Sequence, residues 1–133
     1  MANIPGKYDF VSTDKYEDFL KACGVGVVNR TIASKIKNQL EYVDNGNGSW
    51  TQKTFSTFKN FQIDFKLGEK FVEETADGRK CDAVITLEGN KFVHKQSLDG
   101  EGAVVTREFK PNGELVCTFE CKDVTAVRVY KKV

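Results

Sequence analysis

From Gln39 onward the chain carries turn-forming pairs at a near-regular cadence, and that cadence leaves few folds open. The signals are Asn45-Gly46-Asn47-Gly48, Lys59-Asn60, Leu67-Gly68, Asp77-Gly78, Gly89-Asn90, Asp99-Gly100, Pro111-Asn112-Gly113 and Lys122-Asp123. Between them lie short runs, many alternating apolar with polar, the mark of antiparallel strands joined by hairpins. One more strand fits Gly6–Val11, which brings the count to about ten, in order and without a long crossover. Such a meander is all-β and closes into an up-and-down barrel or clam-like sandwich. A barrel this wide is not filled by its own side chains, so it should enclose a cavity.

One stretch departs from this pattern. Ser12-Thr13-Asp14, with Glu17 three residues after Asp14, has the form of a capping box. Tyr16, Phe19, Leu20 and Cys23 then recur at helical spacing as far as Gly24. A second short helix is predicted over Val25–Ile36, with Val28, Ile32 and Ile36 on one stripe. Helices this short are marginal alone and must lie on something.

Length and composition narrow the function. The 133 residues make one domain, residues 1–133. A net charge of +1 gives no electrostatic case for a nucleic-acid partner. No basic-then-apolar segment opens the chain, and no apolar run approaches the roughly 18 residues that span a bilayer. Cys117 and Cys121 on one strand would lie about 13 Å apart, too far to bridge. Without a leader, Cys23, Cys81, Cys117 and Cys121 are expected to be reduced thiols in a cytoplasmic protein. His94, the sole histidine, has no partners at ligand spacing, so no metal is expected. No nucleophile elbow is present, and Gly24-Val25-Gly26 lacks the third glycine and preceding strand of a dinucleotide loop. The expectation is a non-enzyme without a cofactor.

The inner faces carry the chemistry. Within Ala103–Lys110, Val105, Arg107 and Phe109 share the more apolar face, which places Arg107 inside. Leu115, Cys117, Phe119 and Cys121 share a face opposite Glu120 and Lys122. In Asp123–Lys131, Arg128 and Tyr130 leave one face, but Val127 and Val129 have an equal claim to the interior, and periodicity leaves the choice open. A guanidinium buried without a counter-charge costs several kcal/mol, so a protein that keeps one there usually has an anion for it.

These blocks, taken together and in order, resemble the intracellular fatty-acid-binding proteins, part of the wider family of small intracellular lipid-binding proteins. The resemblance runs from Gly6 to the end. It is carried by Gly6-Lys7-Tyr8, Phe19-Leu20-Lys21-Ala22-Cys23-Gly24-Val25-Gly26, Ser56-Thr57-Phe58-Lys59-Asn60, Phe65-Lys66-Leu67-Gly68-Glu69, Thr75-Ala76-Asp77-Gly78-Arg79-Lys80, Val104-Val105-Thr106-Arg107-Glu108 and Arg128-Val129-Tyr130. It implies a ten-stranded barrel with a helix-turn-helix lid between strands one and two. It also implies that Arg107, Arg128 and Tyr130 hold a ligand carboxylate, which turns Arg128 and Tyr130 inward. Tyr16, Phe19, Leu20, Thr54 and Ala76 match cavity positions of the family, as do Asp77, Arg79, Val105, Cys117 and Phe119. Phe58 matches an aromatic residue at the portal, and Glu73, His94 and Gln96 match polar interior positions that hold water. Three departures stand out. Asn38 replaces a frequent proline after the second helix, the Asp44–Trp50 turn is longer than in several relatives, and Cys117 replaces a common leucine.

The resemblance implies a monomeric carrier of long-chain fatty acids. Two other classes are compatible with the same trio: a carrier of a retinoic-acid-like retinoid, and a membrane-apposing structural protein of the same fold. Lys21, Arg30, Lys35 and Lys37, with no acid from Lys21 to Leu40, make the lid region a surface that can meet an anionic membrane transiently. The plainer reading, a solvated helix face, has equal weight. Asp77 and Arg79 have a plainer reading too, as a surface pair at a hairpin.

Overall fold

The computed structural model describes residues 3–57, 59–75, 79–98 and 101–133. The expected turns at Asp77–Gly78 and Asp99–Gly100 lie outside the described residues, as do Phe58, Ala76 and Asp77. In chain order the elements are β1 (Gly6–Asp14), α1 (Tyr16–Ala22), α2 (Val27–Lys35), β2 (Gln39–Gly46), β3 (Ser49–Phe55), β4 (Phe61–Lys66) and β5 (Phe71–Glu74). They continue with β6 (Lys80–Glu88), β7 (Lys91–Leu98), β8 (Glu101–Phe109), β9 (Glu114–Cys121) and β10 (Val124–Lys132). The strands form one antiparallel sheet in the order β4-β3-β2-β1-β10-β9-β8-β7-β6-β5. Except for β4 and β5, consecutive strands are paired, and the pairing of first with last rolls the sheet into a nearly closed barrel.

Closure by hydrogen bonds at every edge, the simplest outcome for a meander, does not occur. β4 and β5 are not paired with each other. The turn between them gives its Leu67 N–H to Gly48 O and its Gly68 N–H to Ile85 O, which ties it to the β2–β3 turn and to β6. Side chains span the gap instead, with the rings of Phe65 on β4 and Phe71 on β5 stacked 6.4 Å apart.

β1 serves both halves of the barrel. Gly6–Tyr8 pairs with β2, whereas Tyr8–Asp14 pairs with β10 across a bulge at Val11. That bulge re-aims the strand and lets it continue to Asp14. The capping box therefore does not form: Thr13 and Asp14 are ladder partners of Arg128 and Val127. Helix α1 starts instead from Lys15 in the left-handed region (φ 60°), with no side-chain cap. Glu17 reaches sideways to α2, 4.0 Å from the Arg30 guanidinium.

The second helix is shorter than its sequence stripe. Val25 is buried outside it and gives its N–H to Leu20 O, Gly26 begins it, and Ile36 is already extended. Only Ile32 and Ile36 of the expected stripe face the interior, while Val28 is 68% exposed. The β2–β3 connection is also tighter than its sequence suggests. A bulge between Asp44 and Gly46 keeps the ladder going to Ser49, leaving Asn47-Gly48 as the turn.

Two apolar clusters hold the ends. At one end Tyr8, Tyr42, Trp50, Phe65, Phe92 and Phe109 form a web of edge-on and stacked rings with centroids 5.1–6.0 Å apart. At the other, Phe19, Cys23 and Val25 of the lid pack on Cys81, Ala103, Cys121 and Ala126. All four thiols are buried and unbridged.

Candidate functional site

Between the two clusters the barrel encloses a cavity of about 230 Å³. One enclosed water needs only about 10–15 Å³ of such space, so this is a chamber and not a packing defect. Its walls are mostly apolar. Of the residues singled out in the sequence, Tyr16, Phe19, Leu20, Thr54, Arg79, Val105, Arg107, Cys117, Phe119, Arg128 and Tyr130 line it.

Strand register explains why both arginines meet there. Arg107, Cys117 and Arg128 are direct cross-strand partners on β8, β9 and β10, which sets the two arginine Cα atoms roughly 10 Å apart at ordinary strand spacing. The small Cys117 between them leaves the space into which both guanidinium groups reach. Burial pushes its thiol up to about 11, against the pull of the two arginines, so it stays neutral at ordinary pH. Ala126, Arg128 and Tyr130 are the inward face of β10, with Val127 and Val129 half-buried behind them.

The two arginines are held differently. Arg107 Nη1 lies 3.0 Å from His94 Nδ1, and His94 Nε2 lies 2.7 Å from Glu73 Oε1, which also accepts from Gln96 Nε2 at 3.0 Å. Because a guanidinium only donates, Nδ1 must accept and the ring proton sits on Nε2. His94 is therefore neutral and its imidazole joins cation to carboxylate. Burial holds the His94 pKa below its usual value, helped by Arg107 and opposed by Glu73. Burial also works against the Glu73 carboxylate, but its bonds from His94 and Gln96 and the nearby Arg107 charge outweigh that and lower its pKa.

Arg128 has no such partner. It is 3% exposed, and among the described residues no carboxylate pairs with it. Its guanidinium carbon sits 4.5 Å from the Tyr16 ring centroid and 4.9 Å from that of Phe10, so two aromatic rings fix its plane. Nη2 donates to Ile36 O at 2.7 Å and approaches Asn38 Oδ1 at 3.3 Å, while Nε has no acceptor among the described residues. The Tyr130 hydroxyl donates to Asn38 Oδ1 at 2.6 Å. Burial raises the Tyr130 pKa against the pull of Arg128, so the phenol remains a donor.

Arg79 joins the lid to the rim: its Nη1 donates to Cys23 O at 3.0 Å. Sequence reasoning did not single out Asn38, Gln52 or Phe10 as site residues. Gln52 alternates with Trp50 and Thr54 on one face of β3, a signal present in the sequence. Asn38 and Phe10 reach Arg128 only through long-range packing.

The lipocalin / cytosolic fatty-acid binding protein family matches residues 5–133. The chain belongs to that family. Among its relatives, a "Fatty acid-binding protein" of Lepidoglyphus destructor is 43% identical over 133 residues, 99% of each chain. The crystal structure of Echinococcus granulosus fatty-acid-binding protein 1 superposes with a TM-score of 0.92 at 32% identity, covering 97% of this chain and 96% of that one. A Schistosoma mansoni fatty acid binding protein in complex with arachidonic acid gives 0.92 at 29% identity, over 98% and 96% of the two chains. These relatives are binding proteins, not enzymes, and the ten strands with a helical pair after the first are the fold they share with this member.

Proposed function

We propose that the protein binds a long-chain fatty acid non-covalently in this cavity and carries it within the cell, with the carboxylate held by Arg128 and Tyr130 and attracted by Arg107. The observation that carries this reading is the Arg128 cation, buried at the wall of an apolar chamber with no paired carboxylate and no acceptor for Nε among the described residues. The Arg107 charge is already balanced by Glu73 across the neutral His94 ring, so Arg128 is where an anion gains most. A carboxylate there accepts charge-assisted hydrogen bonds, about twice as strong as neutral ones. Each methylene of the chain adds roughly 0.8 kcal/mol as it leaves water. After the costs of ordering and immobilisation, affinities between nanomolar and micromolar are expected.

The test compares oleate with methyl oleate by displacement titration. Arg128→Ala should weaken oleate by roughly tenfold to a hundredfold, the range for a hydrogen-bonded charge, and the ester far less. Equal losses for the two ligands would remove the carboxylate assignment. Including retinoic acid measures chain shape independently, and retinoid binding tighter than oleate would change the ligand class.

Delivery by contact with an anionic membrane belongs to the same proposal. Val27 and Val28 are 60% and 68% exposed on the lid, with Lys21, Lys35 and Lys37 exposed nearby. Replacing these three lysines with glutamine should slow transfer to vesicles containing phosphatidylserine and abolish its salt dependence. Transfer rates that ignore both lipid charge and salt would leave the lysines as a solvated face.

A further inference from the structure

The Arg128–Tyr130 pair already holds a pair of oxygens, and both come from the linker between α2 and β2. Ile36, where α2 ends, presents its carbonyl to Nη2, and two residues later Asn38 presents Oδ1 to the same nitrogen and to the phenol. Two donors converge on Oδ1, which fixes the amide with its oxygen inward. A backbone carbonyl and an amide oxygen offered to one guanidinium and one phenol reproduce the two oxygens of a carboxylate without its charge.

We propose that Asn38 is a built-in competitor for the ligand's carboxylate, and that an anionic headgroup docks by displacing the linker at residues 36–38. The inference rests on the carboxylate reading above and adds a selection step to it. A carboxylate exchanges neutral bonds to Arg128 for charge-assisted ones and so drives the linker out. An ester or alcohol offers acceptors no better than those it would replace, and leaves the linker in place. Because Ile36 caps α2, headgroup capture and lid position become coupled, and the coupling acts equally in both directions. The headgroup is read once by its bonds and again by whether the linker yields.

Two substitutions pull the prediction in opposite directions. Asn38→Ala removes the competing oxygen and should raise the preference for oleate over methyl oleate about threefold to tenfold, the worth of one neutral hydrogen bond or slightly more. Asn38→Asp tethers a carboxylate at the same place and should lower that preference by about tenfold or more at pH 7.4. A third measurement needs no variant: amide NMR of the full chain should show oleate shifting Ile36–Gln39 and methyl oleate leaving them near their ligand-free positions. An oleate preference that exceeds one in the unaltered protein but is unchanged or reduced by Asn38→Ala overturns the competitor and leaves the carboxylate site standing. Linker shifts of equal size with both ligands overturn it in the same way. No preference for oleate in the unaltered protein overturns the competitor and the carboxylate site together.

Discussion

The Arg107–His94–Glu73 chain makes the barrel wall sensitive to acid. Folded His94 and Glu73 both resist protonation relative to their usual values of 6.5 and 4.5. The unfolded chain therefore binds more protons, and stability is full above those values and lost as pH falls through the folded ones. The loss begins below about 6.5 with His94 and deepens below about 4.5 with Glu73. His94→Gln keeps a donor for Glu73 and an acceptor for Arg107 but does not titrate, so its Tm should fall less between pH 7.5 and 5.5. Parallel Tm curves for the two proteins would show that the imidazole is not the sensor. At this scale the sequence was legible wherever polarity followed the strand period: Arg107 sits among Val105 and Phe109, and the alternation placed it correctly. β10 defeated the same argument, because its inward face carries Arg128 and Tyr130 while valines lie behind them. Functional faces break hydrophobic patterning in this way. Asn38 was visible as a departure from a proline, but its meeting with Tyr130 spans 92 positions and no local pattern encodes that.

Among the elements, the lid shows where local signals compete with tertiary pairing. Ser12-Thr13-Asp14 has good cap chemistry, yet the bulge at Val11 carries β1 through it because a ladder with β10 offers more bonds than one cap. Gly24 stops α1 as its sequence position predicts, one residue past the C-cap Cys23, and its φ of 85° is the reason. A Cβ there would also lie 3.4 Å from Arg79 Nη1, the nitrogen that fastens the lid to the rim through Cys23 O. Gly24→Ala should therefore cost about 1–2 kcal/mol, the usual penalty for a side chain in the left-handed region, and lower Tm by about 3–8 °C. An unchanged Tm would mean that this junction relaxes freely. α2 has no buried residue and packs chiefly on α1, so little packing would oppose the linker displacement proposed above.

For the molecule as a whole, about ten strands and a hollow interior followed from turn cadence together with the Gly6–Val11 run, whereas the β4–β5 gap did not. Cadence counts strands but does not say whether every two consecutive strands pair, and between β4 and β5 the turn directs its two amide hydrogens elsewhere. The unpaired edges should be the weak seam. Amide exchange is expected to be slowest in β7, β8 and β9, each paired on both sides, and faster in β4 and β5. Equal protection in β4 and β5 would contradict the gap. The pairing of β1 with β10 carries a different consequence, one of order in time. Synthesis delivers β1 early and β10 last, and Arg128 and Tyr130, the residues proposed to hold the headgroup, lie on β10. Until that strand is made, β1 has no partner on its β10 side for Ser12–Asp14, the roll cannot close, and the proposed headgroup site lacks both of its residues on β10. The growing chain therefore passes most of its synthesis as two separate sheets, β1–β4 and β5–β9, each with an unfinished edge where β10 will lie, a state prone to aggregation, and it joins them and completes the proposed headgroup site in the same final step.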